Sequence, residues 1–148
     1  MAAATDALEI LLLNHLFINT TVTNVGDATG LPAAATVGST QLSLATVAYI
    51  DADTLMTADE CAYTGYVRPL QARTTGGWDT AAAGANANAA IITFGASSSG
   101  PETAVHCGLS FIATGDVLHL HADLGADLVI NSGVEPQFAA GALTWTLA

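Results

Sequence analysis

The chain has 148 residues and a mass of 14.9 kDa, the commonest size for one domain, and its 51% hydrophobic content is enough to bury a core, which excludes intrinsic disorder. Thirteen acidic residues stand against two arginines, Arg68 and Arg73, with no lysine, giving a formal net charge of -11. Two cations cannot displace the counterions that drive binding to polyanions, so nucleic acid and anionic membrane surfaces are excluded as partners.

A bilayer span takes about 20 consecutive apolar residues. The longest apolar stretch, Leu8 to Ile18, is interrupted by Glu9, Asn14 and His15, and no basic segment precedes it. Neither a span nor a secretory signal is therefore expected. Thirty alanines and nineteen threonines make much of the hydrophobicity small side chain. Few large residues must then do most of the burying, and packing against further copies, as a homo-oligomer, is expected.

In chain order, Leu8, Leu11, Leu12 and Leu16 recur at three- and four-residue intervals, which predicts an amphipathic helix from about Asp6 to Phe17, with Asp6 and Glu9 as a capping box. Residues Asn19 to Val37 are rich in Thr, Gly, Asn and Ala and read as a connector with at most one irregular strand. From Gln41 the period changes to two, with Leu42 and Leu44 on one strand face, and Tyr66 to Leu70 offers a short strand that Pro69 pushes to a sheet edge. The run from Thr74 to Ala90, TTGGWDTAAAGANANAA, predicts a long surface loop anchored by Trp78.

The last third alternates most clearly. Val105, Cys107, Leu109 and Phe111 share one face, Leu118 and Leu120 a second, and Leu143, Trp145 and Leu147 a third. Turns are expected at Thr114-Gly115-Asp116, Leu124-Gly125-Ala126 and Asn131-Ser132-Gly133. Their spacing of roughly ten residues suits antiparallel sandwiches and barrels. The expectation is a mainly β single domain over 1–148: an N-terminal helix and connector arm over 1–37, then an antiparallel β-sandwich of jelly-roll or Ig-like type over 38–148.

Motifs for chemistry are weak. His119, His121 and Asp123 alternate as metal ligands on a strand would, but no later histidine follows and the acids at Asp123 and Asp127 do not complete a cupin pattern, so a solvated strand face is expected and no metal. The acidic stretch from Asp51 to Glu60 fails as a calcium loop at Leu55, Met56 and Ala62, leaving a solvated loop. Ser97 to Ser99 lack the second glycine of a nucleophile elbow, and the absence of lysine excludes a P-loop. Cys61 and Cys107 read as buried free thiols and His15 as a structural histidine. No catalytic residue, cofactor or enzymatic activity is expected.

The order of LLNHLF (Leu12 to Phe17), GYVR (Gly65 to Arg68), the Trp78 loop running into Asn86 and IITF (Ile91 to Phe94), VHCGL (Val105 to Leu109), GDVL (Gly115 to Leu118) and FAAGALT (Phe138 to Thr144) resembles a family of small tailed-bacteriophage virion proteins, tail-fibre-like. The resemblance implies a non-catalytic structural role and makes His106 part of a strand motif. The base-poor surface and the Asp51 to Glu60 region are not carried over from it. The leading expectation is a trimeric capsid decoration, or cement, protein on the outer head, bound to the major capsid protein or other virion proteins and assembled in the host cytoplasm. Leu8, Leu11, Leu12, Leu16, Phe17 and Trp78 are its expected assembly interface. The alternatives are a tail-fibre or tail-tip component, or a host-surface or carbohydrate-binding module with Trp78, Tyr63 and Tyr66 as a stacking platform.

Overall fold

The computed structural model describes residues 4–26, 30–112 and 114–147. It is mainly antiparallel β with one helix near the N-terminus, as expected, and among the described residues no helix is long and apolar enough to cross a membrane. The helix α1 spans Asp6–Ile18. The strands are β1 (Ser39–Ala45), β2 (Leu70–Ala72), β3 (Ala85–Ala87), β4 (Ile92–Thr93), β5 (Glu102–Ser110), β6 (Leu120–Ile130), β7 (Gln137–Phe138) and β8 (Thr144–Thr146). One four-stranded sheet has the order β2-β1-β5-β6, and β3 pairs with β8 and β4 with β7. The chain forms two compact units, one from the described residues of 1–38, 72–92 and 138–148 and the other from 39–71 and 93–137.

In the first unit, α1 starts at Asp6 as expected, but its N-cap is not the Asp6 of the expected capping box. Thr5 is the extended N-cap, its hydroxyl accepting from Leu8 N at 3.4 Å, which leaves Asp6 inside the first turn. Asn19 closes the helix in the left-handed conformation at φ 53°, and its N–H donates to Asn14 O. Apolar residues occupy most of the circumference, but only Leu13 and its neighbour one turn on, Phe17, are fully buried. The connector carries one bridge, between Val22 and Leu31, consistent with the irregular strand expected there.

The run from Thr74 to Ala90 is not the expected surface loop. Ala83 (φ 50°) and Gly84 (φ 72°) form a two-residue turn closed by paired hydrogen bonds between Ala82 and Ala85. The chain then enters β3, whose Asn86 lies opposite Trp145 of β8. Its small residues let the backbone come close, and buried asparagines satisfy it. Asn88 Nδ2 donates to Ala90 O and Ala139 O at 2.8 Å each, and Asn88 Oδ1 accepts from Leu143 N at 2.8 Å. The expected alternation holds at Leu143 and Trp145, both buried.

In the second unit, β5 is central and buried from Ala104 onward except at Val105. Gly108 sits where a Cβ would meet Ser43 Oγ at 2.5 Å and Leu118 Cδ1 at 2.9 Å, so any larger residue would have to push those side chains aside. Residues Tyr66 to Pro69 are not strand. Pro69 O accepts from Leu42 N, and regular pairing at this edge begins at Leu70.

The turn expected at Leu124-Gly125-Ala126 does not reverse the chain. β6 runs through it, and the register jumps from His106↔Asp123 to Ala104↔Leu128, so residues 124–127 bulge opposite Val105 alone. Gly125 takes φ 74°, and its N–H donates to Asp123 Oδ1. The turn at Asn131 forms as expected, with Val134 N donating to Asn131 O.

Candidate functional site

On α1, at 100° per residue, Leu8, Leu11 and Leu12 lie toward the side away from the Leu13–Phe17 pair, while Leu16 flanks that pair. All four are half-buried and keep surface for a neighbour. Phe17 and Trp78 are 0% exposed and pack edge to face with ring centroids 4.6 Å apart, so they hold the helix within its own unit. Arg73 completes the helix end, Nε donating to Leu16 O at 2.5 Å and Nη2 to His15 O at 2.6 Å. A cation there suits the negative end of the helix. His15 Nδ1 lies 2.7 Å from Thr20 O and so donates its proton, which is the structural role expected of it.

The alternating histidines make separate contacts. His119 precedes β6, and its Nδ1 lies 3.2 Å from Ser110 Oγ and accepts from Phe111 N. His121 Nε2 lies 3.5 Å from Asp51 Oδ1, and its ring stacks on His106 at 6.0 Å. His106 is pinned within the sheet. Its Nδ1 accepts from Tyr49 N at 3.2 Å, and Nε2 faces Asp123 Oδ2 at 3.4 Å. Among the described residues no three histidine, cysteine or acidic side chains converge as a metal would require.

The Asp51 to Glu60 stretch is not a freely solvated loop. Met56 is buried with Ala45, Tyr49 and Leu118 in a small core, and a 3-10 turn spans Met56–Ala58. Glu60 is the hub of a polar network. Arg68 grips it with Nε to Oε1 at 2.6 Å and Nη2 to Oε2 at 2.5 Å, and Nη1 donates to Asp116 Oδ1 at 2.8 Å. The Tyr66 hydroxyl accepts from Leu44 N and donates to Glu60 Oε1 at 2.6 Å. The side chains of Arg68 and Glu60 are only 13% and 12% exposed. Hydrogen bonding to Glu60 raises the Arg68 pKa, and burial aided by Glu60 raises that of Tyr66. Both arginines are thus spent on internal contacts.

Of the aromatics considered for a stacking platform, Trp78 and Tyr63 lie in cores and Tyr66 is half-buried. Trp78 is fully buried, Tyr63 nearly so with its hydroxyl donating to Gly95 O at 2.8 Å, and Tyr66 meets Tyr63 edge to face and Phe94 face to face. A sugar needs exposed rings, and these offer little. Cys61 and Cys107 are buried and free, and burial pushes each thiol up to about 12.

A feature absent from the sequence reading is an open groove of about 590 Å³ lined by Ile50, Asp51, Asp53, Thr54 and residues 118–121. Its two walls are 60 or more residues apart in sequence, so no local spacing announces it. The acids and histidines were visible individually, and only the bridge between Leu55 and Val117 sets them face to face.

The molecule so described, mainly β and with its cations turned inward, is a structural protein of the tailed-bacteriophage virion. It belongs to the family described as Podophage GP4 fiber I protein gp80, whose model matches residues 3–146. No curated protein matches the chain.

Proposed function

We propose that the protein is a non-enzymatic component of a podophage tail fibre, held in the particle through contacts with copies of itself or other virion proteins. The observation that carries this reading is the family match over nearly the whole chain to a protein described as a fibre. The surface supports an assembly role. Ile50, Leu55, Val67, Leu70, Val117 and Val129 are exposed in the second unit, and the half-buried leucines of α1 add apolar area in the first. A trimer is the oligomer we favour.

Capsid decoration is the second reading, favoured by the charge balance. With its arginines engaged and a net charge of -11, the chain suits an outward position and would be repelled by packaged DNA. Copy number separates the two. Stained gels of purified particles, with labelled antibody locating the band in micrographs, should show a handful of copies at the tail. Hundreds of copies over the head would establish decoration instead, and absence from the particle would overturn both readings.

A further inference from the structure

The groove beside the start of β6 has a construction that selects its occupant. Leu118 N donates to Thr54 O at 2.9 Å and Met56 N to Asp116 O at 2.7 Å, so residues 54–56 are zipped to 116–118. Beyond Thr54 the hydrogen bonding stops, and the opening is left between the two segments. Its volume of about 590 Å³ is in the range of sites that take a side chain or a small ligand.

One part of the lining is apolar: Ile50 is 60% exposed, with half-buried Leu120 and buried Leu118 behind it. The rest is acidic. The Asp51 side chain is fully exposed, and the Asp53 carboxylate is aimed by Ile50 N, which donates to its Oδ2 at 2.8 Å. The groups that titrate around the groove are Asp51, Asp53, His119 and His121, with His106 and Asp123 behind them. His121 gives Asp51 a single contact at 3.5 Å, and neither arginine reaches it, since Arg68 is held by Glu60 and Asp116 and Arg73 by the end of α1.

We propose that this groove docks a lysine- or arginine-bearing segment of a different virion protein. An apolar wall beside carboxylates matches a long basic side chain, whose methylenes lie on Ile50 and Leu120 while its charged head reaches Asp51 and Asp53. A second copy of this chain cannot supply that head, because it has no lysine and its two arginines are engaged. A bare metal ion is a poor occupant, because the described residues bring no three ligands together. The inference rests on the proposed virion role and not on whether the protein sits at head or tail.

The test uses the full-length protein and the peptide acetyl-Leu-Arg-Leu-Arg-amide, with a twin carrying citrulline in place of arginine, titrated by amide NMR at low salt. The expected result is shifts confined to residues 50–54 and 118–121 for the arginine peptide, little response to the twin, and binding weakened about threefold by Asp51→Asn, the loss of one exposed ion pair. Glu135→Gln, which removes an exposed charge elsewhere, should leave binding unchanged. Asp51→Asn is a mild change at a fully exposed side chain, and Ile50→Ser tests the apolar wall independently. Shifts scattered over the surface, equal binding of the twin, or indifference to both groove variants would overturn the proposal. Stained gels of particles check the virion role separately: a protein present in particles that fails the peptide test overturns the groove alone.

Discussion

Arg68 shows how a chain with two cations uses one of them. Its guanidinium closes a bidentate pair with Glu60 and ties down Asp116 and Gly115 O, while Tyr66 carries the network to the backbone of β1. Because Glu60 would be left with most of its charge away from water, Arg68→Ala should cost about 3 kcal/mol in urea unfolding, and Arg68→Lys should recover only part of that, lacking the fork. The buried thiols give a second residue-scale expectation. Burial raises Cys61 and Cys107 from 9.0 to about 12, and Tyr49 and Tyr63 from 10.0 to about 12. Between those values the unfolded chain has released protons that the folded chain still holds. Stability is therefore fully present below about pH 9 and falls as the pH rises toward 12, a slope that thermal melts should show and that Cys61→Ala with Cys107→Ala should flatten.

The helix separates folding from assembly on its own circumference. Leu13 and Phe17 face the interior, so Leu13→Ala should destabilise by about 3 kcal/mol in denaturant titration. Leu12 lies toward the opposite side and is half-buried, so Leu12→Asp should leave a folded protein whose occupancy in purified particles drops. Wild-type occupancy would show that α1 is not the anchor. The hairpin turn before β3 carries a correctable flaw: Ala83 sits at φ 50°, where a Cβ is disfavoured and asparagine is tolerated. Ala83→Asn, creating the Asn-Gly pair favoured in such turns, should raise stability by about 1 kcal/mol, measured by the same denaturant titration.

At the scale of the whole molecule, the charge balance dominates. Arg68 neutralises acids and Arg73 neutralises helix carbonyls, so most carboxylates remain as mutually repelling surface charges. The melting temperature should therefore rise from low salt to about 0.15 M, where the screening length is about 8 Å, and flatten above it. A melting temperature that is flat or falls over that range would mean that ion pairs outweigh repulsion.

What could be read along the chain was set by local chemistry. The spacing of leucines made α1, alternation placed β1, β5 and β8, and the counts of lysine and arginine fixed the acidic charge balance, because each of these depends on neighbours in sequence or on composition alone. The order of short motifs also pointed to the virion family that the chain belongs to. Tertiary structure decided the rest. The glycine signal at Gly125 marks a bulge because β5 supplies a partner strand that holds β6 extended on either side of it, and the alanine-rich run becomes β3 because Asn88 and β8 satisfy its backbone. The inward face of α1 is Leu13 with Phe17 because Trp78, some sixty residues on, packs there. The groove exists only where residues 54–56 meet 116–118. Contacts between distant segments decide burial and pairing, and no pattern within one segment contains them.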